Sequence, residues 1–308
     1  MIYIATTVKG IEDVAESELK GKTVAPGRVR FSKLIDNVKS VHRVIQLLDD
    51  FTFSNFDELR DKAGRIKFDF KGTFKIQCKR EGEHGFRSPD VGKAVGASLQ
   101  SKGFASSFKD PKNVVVIDIV QDRCFVGMLV KENFCRRDYR VRFNNQSIHS
   151  CVAYALVKLS GVKKSETLLD PFCKDGVIAI EAYFSGVKKV EAFDANKNNV
   201  RNANINAAMA KAPLKFKQYD LSWANTLFKE KSVDYVVTNL FLSNRDRDAG
   251  QKASDLFEQV NYVVKKGLTL ITNKPDLVKS RVKHFKLDSE RIIGVGGMNY
   301  TVMKYKHS

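Results

Sequence analysis

The sequence predicts an α/β protein whose C-terminal half is a doubly wound, mostly parallel sheet behind a smaller α+β region. Three observations carry this. From Ser147 onward, near-continuous apolar strands alternate with helical segments, the pattern of a sheet covered on both faces. Before Ser147, short strands and helices follow one another without that apolar continuity, which suits a small α+β module. In the C-terminal half, successive strands run up to Asp170, Asp194, Asp220 and Asn239, so these polar groups line one edge of the sheet, where doubly wound folds bind ligands.

The elements follow in order. IYIATT reads as a strand that meets Gly10, and IEDVAESEL as a helix with Ile11, Val14, Ala15 and Leu19 on one face. GRVRFSK is a strand. NVKSVHRVIQLL, with Val38, Val41, Val44, Ile45 and Leu48 at helical spacing, is expected as a helix, and DDFTFS as a third strand. These make a first domain over residues 1–56. In a second, 57–130, FDELRDKAGRI is a helix and GTFKIQCKREG a strand. SPDVGKAVGASLQSKGF is a helix opened by Ser88-Pro89, and NVVVIDIVQDRCFVGMLV gives two strands joined at Gln121-Asp122. Residues 131–146, KENFCRRDYRVRFNNQ, lack apolar periodicity and read as a linker. The last domain, 147–308, opens with the helix SIHSCVAYALVKLSG. Four strand–helix units follow: TLLDPF with GVIAIEAYFSG, KVEAFD with NKNNVRNANINAAMA, LKFKQYD with LSWANTLF, and VDYVVTNL with SDLFEQVNYVVKKG. LTLITNK, HFKLDSERIIGVGG and YTVMKYK complete the sheet.

Composition narrows the function. The chain has 308 residues, 53 Lys+Arg against 35 Asp+Glu, and a net charge of +18. That excess, spread over both halves, points to a polyanionic partner, nucleic acid first. No apolar run is long enough to span a membrane, and MIYIATTVKGIEDVAESEL turns acidic at once, unlike a signal peptide. A cytoplasmic protein is expected. The cysteines (Cys78, Cys124, Cys135, Cys151, Cys173) are odd in number and form no CxxC pair, so buried thiols are expected rather than a disulfide framework or a zinc site. The histidines show no metal-ligand spacing, and no metal is expected.

The strand-end groups suit a nucleoside cofactor. Aspartate and asparagine also end strands by bonding nearby amides, but four in register are harder to assign that way. A carboxylate after the second strand can accept from both ribose hydroxyls, and one after the third from an adenine amino group. The first turn, DPFCKDG, is not GxGxxG. This argues against a dinucleotide pyrophosphate and leaves room for S-adenosylmethionine.

DPFCKDGVIAIEA resembles the DPFCGSGTIAIEA turn of class I RNA methyltransferases that modify guanine N2. The opening resembles a ferredoxin-like domain, KREGEHGFRSPDVGKAVG a THUMP module, which binds tRNA, and RRDYRVR with the SIHSCVAYALVKLSG helix the usual lead-in to the catalytic domain. FEQVNYVVKKGLTLITNKPDL resembles its late helix and strand. The family so indicated is the THUMP-containing tRNA guanine-N2 methyltransferases of the archaeal type, with a Rossmann-like methyltransferase sheet. The resemblance implies a tRNA (guanine-N2)-methyltransferase using S-adenosylmethionine. It puts Asp170, Pro171, Phe172 and Gly176 around the methionine part, Asp194 at the ribose and Asp220 at the adenine. Asn239, Leu240 and Phe241 open the catalytic motif, in which a side-chain amide and the following carbonyl accept from the target amino group.

Two stretches depart from the family. Lys174 and Asp175 stand where glycine and serine are usual; the lysine either pairs with the methionine carboxylate or obstructs the site, and Asp175 is expected to repel that carboxylate. TNLFLSN replaces TNLPYG, with Phe241 at the proline and Leu242 at the aromatic position. These departures open a second reading, a non-catalytic tRNA-binding protein acting as a chaperone or with a protein partner. Candidate RNA contacts are Lys79, Arg80, His84, Phe86 and Arg87 in one loop, and Arg136, Arg137, Arg140 and Arg142 in the linker, where arginine forks suit phosphates. Arg245 and Arg247 follow the catalytic motif.

Overall fold

The computed structural model of the chain describes residues 1–243 and 248–307. It separates into two units, one of residues 1–7 and 15–134, the other of 8–14 and 135–308.

The first unit is built on strands β1 (Tyr3–Thr7), β2 (Lys22–Ala25), β3 (Arg28–Phe31), β4 (Val41–Thr52), β5 (Phe74–Glu81), β6 (Asn113–Val120) and β7 (Arg123–Glu132). They form one sheet in the order β2-β3-β1-β4-β7-β6-β5. Only the β5–β6 neighbours run parallel. Helix α1 (Glu12–Leu19) follows β1, and α2 (Phe56–Arg65) and α3 (Ser88–Ser101) precede β5 and β6. Leu59 and Ala63 of α2 and Val91, Val95 and Leu99 of α3 pack on Phe74, Val115 and Ile117. Asn55 opens α2 by accepting from the Glu58 amide at 2.9 Å, which satisfies one of the unpaired amides of a first helical turn.

One expectation fails here. NVKSVHRVIQLL and DDFTFS are not helix then strand but one 12-residue strand, β4, hydrogen-bonded to β1 on one side and β7 on the other. Val41, Val44 and Ile45 are β-branched residues that favour a pleated surface. One continuous sheet contains strands from both sides of residue 56, joined across β4 and β7. An ionic network ties that sheet together. The Arg28 guanidinium, 1% exposed, grips Asp118 at 2.7 and 2.8 Å and reaches Glu81 at 2.8 Å. Arg43 lies 3.2 Å from the same aspartate.

The second unit contains α4 (Ser150–Ser160), β8 (Thr167–Asp170), α5 (Val177–Phe184), β9 (Lys189–Asp194), α6 (Lys197–Met209), β10 (Lys217–Gln218), α7 (Ala224–Leu227), β11 (Val233–Leu240), α8 (Ala249–Val263), β12 (Val264–Thr272), α9 (Pro275–Lys279), β13 (Phe285–Val295) and β14 (Met298–His307). The sheet order is β10-β9-β8-β11-β12-β14-β13. The strands from β10 to β12 are parallel, and β14 runs antiparallel to both its neighbours. One apolar layer, with Leu256, Phe257 and Val260 of α8, covers one set of strand residues. Another, with Val152, Leu156 and Ile178 of α4 and α5, covers a second set. Order along the sheet reverses between β8 and β11. The crevice at such a reversal, beyond the carboxyl ends of the strands, is where doubly wound sheets hold ligands. β8 ends at Asp170 and β11 at Leu240, one residue past Asn239.

Candidate active site

The turn after β8 is polar and closed to water. Asp170 is fully buried. Its Oδ1 accepts from the Thr238 hydroxyl at 2.7 Å and the Phe172 amide at 3.3 Å, while Oδ2 is buried without a hydrogen-bond partner among the described residues. Burial pushes the Asp170 carboxyl up to about 7, against the pull of those two hydrogen bonds. Pro171 is buried and Phe172 half-buried.

Lys174 takes a φ of +50°, the left-handed conformation glycine adopts freely and other residues reach at about 1–2 kcal/mol. Lysine here thus holds a backbone conformation that glycine would reach without strain. The Lys174 amide donates to Asp194 Oδ2 at 3.0 Å and its ammonium to the Asn239 carbonyl at 3.1 Å. The side chain thus spans the crevice from the end of β8 to the end of β11. Burial pulls the lysine below its usual range, opposed by the charges of Asp194 and Asp170. Gly176, at φ +82°, opens α5. A Cβ there would lie 2.9 Å from the Phe216 ring and 3.0 Å from Ala203, so this position admits only glycine.

Asp175 corrects the expectation that its charge repels a bound carboxylate. It is fully buried and accepts from Arg140 Nη2 and Nε at 2.7 and 2.9 Å and from the Ser147 hydroxyl. Asn206 Nδ2 donates to its carbonyl at 2.9 Å. A parallel clamp lies within α5, where Arg137 and the Tyr139 hydroxyl each reach Glu181 Oε1 at 2.8 Å. Arg137 and Arg140 are thus engaged with carboxylates of their own unit rather than presented to phosphates. Arg136 and Arg142 are exposed.

Asp194 Oδ1 accepts from the Asn196 amide at 2.9 Å and Asn199 Nδ2 at 3.0 Å. Asp220 is exposed, and its Oδ1 accepts from the Ser222 amide at 3.0 Å and hydroxyl at 2.9 Å. Both carboxylates sit on the expected edge while also closing their own turns.

At the end of β11, Asn239 is buried. Its Nδ2 donates to the Gln146 carbonyl at 2.8 Å, and Oδ1 is buried with no hydrogen-bond partner among the described residues. An orphaned buried acceptor is costly and commonly marks a group that a ligand completes. Leu240 and Leu242 are buried in the core. Asn273 fixes the Leu242 backbone from both sides, at 2.8 and 2.9 Å. Phe241 is half-buried. Arg245 and Arg247 lie outside the described residues. The sequence reading missed Gln146, Ser147, Thr238, Asn206, Tyr139 and Glu181. Their partners are 28 to 93 residues distant along the chain, with no local signal.

In the first unit, Lys79 and Arg87 are exposed. Arg80 is turned inward, 3.0 Å from His84 Nδ1 and 5.8 Å from the Phe86 ring centre. Beside this loop a groove of about 770 Å3 runs between β5 and α3, lined by Ile76, Lys75, Lys79, Lys93 and Phe108 among others.

The cysteines also depart from expectation. Cys135 and Cys151 are paired sulfur to sulfur, while Cys78, Cys124 and Cys173 are free. Among the described residues no helix is long and apolar enough to cross a membrane.

Comparison with known proteins places these features. Residues 53–129 match the THUMP domain model. Residues 137–270 match the model described as RMKL-like, methyltransferase domain. A tRNA (guanine(6)-N2)-methyltransferase of Thermus thermophilus is 33% identical over 112 residues, 36% of this chain and 33% of that protein. One of Methanocaldococcus jannaschii is 26% identical over 210 residues, 59% of this chain and 55% of that protein. The chain thus spans about half or less of the length of these relatives. The crystal structure of TrmN from Thermus thermophilus superposes with a TM-score of 0.83 at 23% identity, covering 100% of both chains, and so shares the fold.

Proposed function

We propose that this chain, which joins a THUMP domain to an RMKL-like methyltransferase domain, is a cytoplasmic tRNA methyltransferase that uses S-adenosylmethionine to methylate guanine at N2. The observation that carries this reading is Asn239. Its amide nitrogen is committed to Gln146, which leaves Oδ1, buried and without a hydrogen-bond partner among the described residues, as an acceptor. An amine N–H donated to that oxygen would hold the target nitrogen in place and raise its electron density. The likeness to guanine-N2 methyltransferases supports the choice of base and of tRNA.

The residues around the crevice fit the cofactor. Asp170 Oδ2 is a second buried acceptor without a hydrogen-bond partner among the described residues, suited to an ammonium donor. Pro171, Phe172 and Gly176 would border the methionine part, Asp194 would accept from the ribose, and exposed Asp220 from the adenine amino group. Bound there, S-adenosylmethionine supplies an electrophilic methyl group. The chain's own part is alignment and hydrogen bonding, with no covalent enzyme intermediate. Leu240, through its carbonyl, would be a second acceptor for the amine, and Phe241 would contact the extruded base, whose removal from its stack costs a few kcal/mol. Lys79 and Arg87 and, in the linker, Arg136 and Arg142 would meet tRNA phosphates.

The test is Asn239→Ala. Methylation of tRNA transcripts should fall about a hundredfold or more, with tRNA binding retained. Equal activity in mutant and parent would remove Asn239 from the mechanism. One observation favours the second reading, a non-catalytic tRNA-binding protein with a protein partner. Leu242, at the family's aromatic position, is buried in the core and presents no ring to a base. Titration calorimetry separates the two. Micromolar binding of S-adenosylmethionine supports the enzyme, whereas firm tRNA binding without cofactor binding supports the second reading.

A further inference from the structure

Outside the crevice, the second unit gathers a different set of donors. Cys135 lies at its linker end, and His149 and Cys151 lie at the start of α4. The Sγ atoms of the two cysteines and a ring nitrogen of His149 all lie within 4.8 Å of one another. Both cysteines are buried and the histidine is exposed. We propose that Cys135, Cys151 and His149 form a site for a transition-metal ion of the zinc class, bound by two thiolates and one imidazole.

Three features argue for a metal site over a plain disulfide. A disulfide needs two sulfurs, yet a third soft donor converges on the same point. Cys151 is the second residue of α4, an 11-residue helix. The amides of a helix N-terminus favour a thiolate there. His149 occupies the N-cap position without its ring capping the helix. Two thiolates and an imidazole are a donor set that zinc accepts in tetrahedral geometry, leaving the fourth position for water or a further donor. Binding exchanges the two thiol protons for the ion and moves no electrons. The paired sulfurs are the two-electron oxidised form of the same cysteines, so oxidation and metal binding exclude each other.

The site would act on the linker. Cys135 immediately precedes the stretch that supplies Arg137 and Tyr139 to Glu181, Arg140 to Asp175, and the Gln146 carbonyl to Asn239. An ion held between Cys135 and α4 would pin the start of this stretch, and metal binding free energy of that kind becomes folding free energy.

The test uses the full chain, reduced and freed of metal, titrated with Co(II) as the probe, together with the zinc content of protein purified without chelator. One zinc per chain and a thiolate-to-cobalt charge-transfer band are expected, with a higher melting temperature on adding zinc. Cys151→Ser should abolish the band, and Cys78→Ser should leave it unchanged. Because a buried cysteine variant can misfold, His149→Ala, at an exposed position, is the second probe and should weaken cobalt binding at least tenfold. No cobalt band in the reduced protein would overturn the proposal. So would a band indifferent to both His149→Ala and Cys151→Ser.

Discussion

The linker clamp and the crevice are built from the same residue types and solve opposite problems. In the clamp, Asp175 and Glu181 are fully buried, and each meets an arginine and a hydroxyl. In the crevice, Asp170 and Asn239 are also buried, and each keeps one oxygen without a hydrogen-bond partner among the described residues. Burial alone therefore says little about a polar group's role. What separates the two regions is whether the partners of a buried polar group come from the described residues themselves. The two regions meet in one turn, where Asp170 and Asp175 are five residues apart.

The sharpest way to break this contrast is to cut the clamp. Asp175→Ala leaves the Arg140 guanidinium buried without its carboxylate. Removing one member of such a pair costs about 3–5 kcal/mol, so urea denaturation should show a loss of that order. A loss below about 1 kcal/mol would mean the clamp is not structural.

The crevice predicts a pH dependence of opposite character. Asp170 has a folded pKa raised to about 7 from 3.8. Between those values the folded state binds more protons than the unfolded one, so stability falls as pH rises, by up to about 1.4 kcal/mol per unit, and levels off above the folded pKa. Thermal melts of Asp170→Asn from pH 4 to 8 should lack this decline, and the variant should gain on the parent as pH rises. Parallel melting curves at all pH values would contradict the assignment.

Lys174 sits between the two regions. Lys174→Gly relieves a left-handed lysine but removes the bridge to the Asn239 carbonyl. These terms offset, and a stability change within about 1 kcal/mol is expected. A larger effect should appear in cofactor affinity by calorimetry if the ammonium helps hold a carboxylate. On the surface, Arg87→Ala and Lys79→Ala should each weaken tRNA binding modestly and lower the salt slope by about one. A filter-binding series over salt would detect this.

Much of the fold was legible because it depends on local pattern. The four strand–helix units and the polar strand ends of the second unit follow from apolar runs and their punctuation. β4 was misread for a reason visible in retrospect. A bulge in the pairing with β1 sets Val41 and Val44 on one face with Ala5, while Arg43 and Ile45 share the other with Ile4, and all four are buried. An arginine at an inward position hides the alternation, and its neighbour Asp118 lies on a distant strand. The valines then fit a helical period equally well.

The same limit governs the site. The sequence by itself determined the doubly wound sheet, the edge on which Asp170, Asp194, Asp220 and Asn239 stand, and a basic surface, because hydrophobic period and charge are summed over neighbouring residues. Only the tertiary structure decided that Asp175 is neutralised by Arg140, that Lys174 reaches the Asn239 carbonyl, and that Cys135 meets Cys151 and His149. Those outcomes depend on pairs brought together by long loops, and a buried charge is defined by the partner it meets rather than by the residues beside it.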